Sequence, residues 1–173
     1  MLGIERRVGQ ILVESGNISE EQLMEAIMRS ERTGNRLRDV LYEENLASPY
    51  VWLTRFSFLT HVPSIDLAGW PSPETEALDT IPEYVALRLK ALPLLTGKDY
   101  VRVAMDDPTD PDVIAELGMY AGREIRPAIS YVPDLSTAIR HAYNGRWMEY
   151  EGRLIFENPY TIHKIDSTSF GRN

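Results

Sequence analysis

Two arginines, Arg7 and Arg36, hold the same place in two similar stretches of sequence that begin 29 positions apart. An arginine offers a planar fork of donors that fits phosphate oxygens and the O6/N7 edge of guanine. Two of them at matched positions could therefore grip an anionic, phosphate-bearing ligand between the stretches. The plainer alternative is a pair of solvated arginines facing nearby acids such as Glu5 and Asp39, contacts that contribute little at a surface. Each arginine is expected at the start of a helix, where the macrodipole makes a cation mildly unfavourable, so a bound anion would account for the placement.

Other constellations fall short of chemistry. Thr96-Gly97-Lys98 has the Gly-Lys pair of a phosphate-binding loop but neither the preceding glycine nor the following Ser or Thr, and it reads as a hairpin turn. His61, His141 and His163 match no metal-ligand spacing. The cluster Asp106, Asp107, Asp110 and Asp112 suggests a hard cation. Counted from Asp107, however, the sixth and twelfth positions of a calcium loop hold Asp112 and Gly118, not Gly and Glu. A turn followed by a helix N-cap is the expected role of those carboxylates. No catalytic or metal-binding residue is assigned, and a non-enzymatic protein is expected.

The arginines belong to elements that the sequence repeats. RVGQILVESGNISEEQLMEAIMRS, from Arg7, lies over RLRDVLYEENLASPYVWLTRFSFL, from Arg36. Val8, Ile11 and Leu12 follow a one-faced helical spacing, as do Leu37, Val40 and Leu41. Gly16 and Asn45 stand where left-handed C-caps are expected. The second helix of the first copy opens on a capping box, Ser19 with Gln22, and continues through Leu23, Ala26 and Ile27. In the second copy Ser48 caps, Pro49 takes the first helical position, and Trp52, Phe56 and Leu59 form the stripe. Each copy is thus a helix, a turn and a helix.

Beyond Thr60 the pattern changes to α+β. Ser64 to Leu67 is a short strand candidate, and Gly69 to Glu74 a connector. A helix from Ile81-Pro82-Glu83 to Arg88 precedes a hairpin of Ala91 to Leu95 and Tyr100 to Met105. Asp110 and Pro111 open a helix to Tyr120 that ends at Gly122, followed by a strand, Glu124 to Ser130, and a helix ending at Tyr143. The expected fold class is α+β: a helical lobe of two helix-turn-helix repeats (1–62), an α/β lobe with a three- to four-stranded sheet (63–146), and a partly disordered extension (147–173).

Composition narrows the partners. The 173 residues include 26 acidic and 18 basic side chains, a formal charge of −8 that argues against DNA or RNA binding. The absence of cysteine removes disulfides, thiolate metal sites and cysteine nucleophiles. Met1 to Gln10 lack the apolar run of a secretory signal, and no window approaches the roughly 20 apolar residues of a membrane span. A cytoplasmic location is expected, with any membrane association, peripheral to the inner membrane, made through a partner and without direct insertion.

The repeats, together with IPEYVALRLKALPLL, VRVAMDDPTDPD and AIRHAY, resemble the N-terminal domain of type II secretion and type IV pilus ATPases, the MshEN domain, which also recurs in some polysaccharide glycosyltransferases. The resemblance covers about residues 4 to 145. It implies a regulatory or adaptor domain of a larger machine, and in one branch of the family the paired motifs bind cyclic di-GMP, with no other cofactor. Arg7 and Arg36 match the arginines that open the motifs. Val8, Leu12, Leu23, Ile27, Leu37 and Leu41 match the apolar positions along the dinucleotide, and Trp52 and Phe56 replace aliphatic ones. Gly9 matches the motif glycine, for which the second copy has Arg38. The glutamine that closes each motif is replaced by Ser30 and Leu59. The implied contact set is accordingly Arg7, Val8, Gly9, Leu12, Leu23, Ile27, Ser30, Arg36, Leu37, Arg38, Leu41, Trp52 and Phe56. A glycine lets backbone approach a ligand, so Arg38 either obstructs the second half-site or adds a phosphate contact. No motor segment follows, so the domain is expected to act in trans or to be part of a longer chain. A ligand-free adaptor of the same fold, docking to a secretion or polysaccharide-export component, is the alternative.

Overall fold

A computed structural model describes residues 2–67, 69–130, 135–149 and 161–162. The chain divides into two compact units, Met1–His61 and a second beginning at Val62.

The first unit holds four helices: α1 (Leu2–Glu14), α2 (Glu20–Thr33), α3 (Leu37–Glu43) and α4 (Pro49–Thr60). The turn inside each repeat recurs bond for bond. After α1 the Gly16 amide donates to the Val13 carbonyl and Asn17 to Leu12; after α3 the Asn45 amide donates to Tyr42 and Leu46 to Leu41. Gly16 and Asn45 both have φ in the left-handed region, 71° and 55°, as the C-cap reading required. Ser19 accepts from the Gln22 amide at 3.1 Å while Gln22 reaches back to the Ser19 amide at 2.8 Å. Ser48 accepts from the Val51 amide at 3.3 Å, but Val51 has nothing to return, so the second capping box is half made. Val8, Leu12, Leu23, Ala26, Leu37, Val40, Leu41, Trp52, Leu53 and Phe56 fill the interior.

One of the two expected helix starts needs correction. Arg7 is not at a helix start: α1 begins at Leu2, so Arg7 sits in mid-helix, beyond the dipole's reach into the first turn. Arg36 does stand at the N-cap of α3, where it uses no side-chain cap bond.

In the second unit the chain runs β1 (Ser64–Ile65), α5 (Thr75–Thr80), α6 (Glu83–Leu89), β2 (Ala91–Thr96), β3 (Tyr100–Met105), α7 (Pro111–Ala121), β4 (Glu124–Ser130), α8 (Leu135–Tyr143), a short 3-10 turn (Trp147–Glu149) and β5 (Thr161–Ile162). The sheet order is β2-β3-β4-β1-β5. Strands β2 and β3 form the expected hairpin, while β3–β4, β4–β1 and β1–β5 are parallel, α7 carrying the crossover from β3 to β4. Four strands thus match the expected sheet, and Thr161–Ile162 adds a two-residue neighbour to β1.

Asp110 caps α7, accepting from the amides of Asp112 at 3.0 Å and Val113 at 3.2 Å, and Gly122 ends it with φ 61°. Asp107 accepts from the amide and hydroxyl of Thr109. These bonds give the acidic cluster the turn-and-cap role expected of it. Helix α5 went unforeseen because it is only six residues long and its N-cap, Glu74, makes no side-chain cap bond. The Glu74 carboxylate instead accepts from the Thr96 amide at 3.0 Å, and its own amide donates to Leu94, covering part of the edge strand β2. Trp147, the first residue of the expected extension, is buried in this unit's core and donates through Nε1 to the Trp70 carbonyl at 2.8 Å. Apart from 147–149 and 161–162, that extension, with His163, lies outside the described residues.

Candidate functional site

The paired motifs meet where α1, α2 and α3 pack together. On α1, Glu5, Val8 and Leu12 follow i, i+3, i+7 spacing and share the buried face, so a carboxylate enters the interior with them. Glu5 is only 4% exposed. Its Oε2 accepts from the Leu37 amide, the first of α3, at 3.1 Å, tying the first repeat to the second. Burial pushes the Glu5 carboxyl above the usual glutamate range; the Arg38 charge, the Leu37 amide and the Arg36 charge pull against that, and Asp39 adds to it.

Arg38 is itself buried at 7% exposure, and its Nε lies 3.6 Å from the Asp39 carboxylate. A glycine occupies the matching position in the first repeat for a steric reason. A Cβ on Gly9 would lie 2.6 Å from Cδ1 of Leu23, so α1 and α2 approach through the space a side chain would need. The second repeat takes a long cation at that position, within electrostatic reach of an internal carboxylate.

Of the contact set, Val8, Leu12, Leu41 and Trp52 have no exposed surface, and Leu23, Leu37 and Phe56 have almost none. They are buried in the helical core, and periodicity alone does not distinguish a stripe facing a ligand from a stripe facing the core. Gly9 is buried as well. Ser30 is turned inward, its hydroxyl donating to the Asn35 carbonyl at 2.7 Å and closing the turn between α2 and α3. Arg7 is exposed, with Nη1 3.2 Å from Glu14 Oε1; its neighbour is Glu14, not the expected Glu5. Arg36 is half-buried, and Ile27 is half-buried on the wall of a crevice. That crevice is small, with a cavity volume of about 10 Å³, and is lined by Glu5, Arg6, Ile27, Ser30, Glu31 and Leu37; Arg6 forms an ion pair with Glu31 across it. The structure therefore gathers Ile27, Ser30 and Leu37 at one opening and leaves Arg7 on the outer surface.

Glu5 is the residue that spacing undervalued. Its place three residues before Val8 and seven before Leu12 was the available signal that it faces inward.

The MshEN domain model matches residues 60–146, most of the second unit. Bacteriophage adsorption protein B of Escherichia coli strain K12 is 30% identical over 141 residues, covering 82% of this chain and 19% of that protein. Bacteriophage N4 adsorption protein B of Escherichia coli O157:H7 matches with the same figures. The chain spans about a fifth of the length of these curated relatives. Among solved structures, MshE with cdg superimposes with a TM-score of 0.65 at 28% identity, covering 83% of this chain and 98% of that one. That match takes in more of the chain than the second unit alone contains. The N-terminal domain of XpsE shares the fold, with a TM-score of 0.58 at 15% identity over 85% of this chain and 95% of its own. Among the described residues no helix is long and apolar enough to cross a membrane. By the model it matches across half its length, the chain belongs to the MshEN domain family.

Proposed function

We propose that this chain is a non-enzymatic regulatory domain that binds cyclic di-GMP through its two arginine-led repeats and reports the bound state to a secretion, pilus or polysaccharide-synthesis machine. The observation that carries the reading is the paired helix-turn-helix, repeated in its cap bonds and led by Arg7 and Arg36, in a chain that resembles a solved MshE carrying that dinucleotide. An exposed arginine on α1 and a half-buried one at the head of α3 suit a ligand with two phosphates and two guanine edges.

One observation favours the adaptor reading, in which the fold is kept and the ligand lost: Arg38 is buried beside Glu5 and Leu59 replaces a motif glutamine. The two readings separate by titration calorimetry with cyclic di-GMP, using the Arg7→Ala, Arg36→Ala double variant as control. Neither change removes a side-chain cap, so the variant should fold. The sensor reading expects micromolar or tighter binding that the double variant loses. No heat from folded protein at high ligand concentration leaves the adaptor reading in place.

A further inference from the structure

The two repeats differ most in what stands opposite their arginines. Shifted by the repeat length, Glu5 falls on Gly34, which has no side chain, so the charge arrangement of one motif has no copy in the other. Arg7 faces the exposed Glu14, whereas Arg36 and Arg38 lie within electrostatic reach of a carboxylate that is nearly sealed from water. A buried carboxylate is retained when charge and hydrogen bonds satisfy it, and Glu5 has both, in the Leu37 amide and the two guanidinium groups. The remaining charged groups of the crevice, Arg6 and Glu31, are engaged with each other.

Resting on the sensor reading above, we propose that Glu5 is a positioning residue that acts as the second motif's internal anion: it orients α3 through Leu37 and neutralises Arg36 and Arg38, so that a phosphate of the dinucleotide competes with it for the second half-site. Arg38 in place of a glycine and a buried carboxylate within its electrostatic reach form one device. The first motif offers its arginine to the ligand, and the second offers its own only against the field of Glu5. Affinity for the dinucleotide is then set by a residue that need not touch it.

Glu5→Gln tests this, because the amide oxygen can still accept from Leu37 while the charge is gone. Cyclic di-GMP should bind the variant about tenfold more tightly than the parent, the scale of one nearby unit charge in a partly screened site. The salt dependence should steepen as a second arginine becomes available to phosphate, a change that a purely structural role would not produce. Glu5→Ala, which also removes the acceptor, reports the positioning part, and circular dichroism checks that each variant is folded. Tight binding by Glu5→Gln with none by the parent supports the proposal. Equal or weaker binding by Glu5→Gln, with binding still abolished in the Arg7→Ala, Arg36→Ala variant, overturns it while leaving the sensor reading standing. Silence from both folded proteins overturns the two together.

Discussion

Gly9 provides a test of the packing that builds the repeat. It lies inside α1, where alanine would be favoured over glycine by about 1 kcal/mol on helix propensity alone. A Cβ at that position comes 2.6 Å from Leu23 Cδ1, with Cδ2 and Cγ following at 3.5 and 3.6 Å. Leu23 is buried, so its side chain can yield only by leaving a good rotamer or pushing α2 outward, at about 1–3 kcal/mol. Gly9→Ala should therefore destabilise by up to roughly 2 kcal/mol, a loss of a few degrees in melting temperature for a chain of this size. Leu23→Ala alone should cost about 2–5 kcal/mol. In that background the obstruction is gone, and Gly9→Ala should turn stabilising by about 1 kcal/mol as propensity and cavity filling act together. Urea denaturation followed at 222 nm across the four proteins gives the coupling, expected at about 1–3 kcal/mol. If Gly9→Ala raises stability equally in both backgrounds, Leu23 does not hold that space and the account of the missing side chain is wrong.

Asp110→Ala removes the acceptor for two amides of α7 and should cost about 1 kcal/mol in the same denaturation assay, with Asp110→Asn recovering most of it. Stability should also depend on pH through Glu5. Its carboxyl is raised in the folded state, chiefly by burial, so its contribution is intact below the unfolded glutamate range and falls as pH rises through the higher folded value. Glu5→Gln should thus melt above the parent at neutral pH, and the gap should close on acidification toward the ordinary glutamate pKa; a gap that widens in acid would contradict the assignment.

Much of the fold was legible because local rules and tertiary structure agree. Ser19 with Gln22, Ser48 with Pro49, and Asp110 with Pro111 and Gly122 each stand at element ends where cap chemistry admits few residues. The hairpin was legible from two apolar runs around Gly97, where a Cβ would collide with the Tyr100 ring. Helix α5 was not, because its N-cap residue spends its carboxylate on the neighbouring strand. The parallel pairing of β1, β3 and β4 was also missed, since strand patterns carry no record of partner or direction. At the candidate site, spacing placed the arginines in matched positions but could not separate core leucines from ligand-facing ones. It also gave Arg7 a helix start it does not have.

The differences between the repeats are more informative than their likeness. The bonds of the turn after α1 recur residue for residue after α3, so the two copies follow the same backbone path through that turn and their side-chain differences are not consequences of a changed turn. Three divergences converge on one spot: Gly9 becomes Arg38, the position matching Gly34 carries Glu5, and the seven-residue α3 replaces the thirteen-residue α1. A short helix gives up the turns that in α1 precede Arg7, leaving the head of α3 at Arg36 with amides to satisfy. Glu5 supplies an acceptor to Leu37, the first of them, from the neighbouring repeat. Truncation of the helix, the carboxylate that satisfies its end and the cation that balances the carboxylate form a connected set, in which removing the cation alone leaves the buried carboxylate less compensated and removing the acceptor oxygen leaves the Leu37 amide unmet. A substitution at Arg38 should therefore be tolerated better beside Glu5→Gln than beside native Glu5.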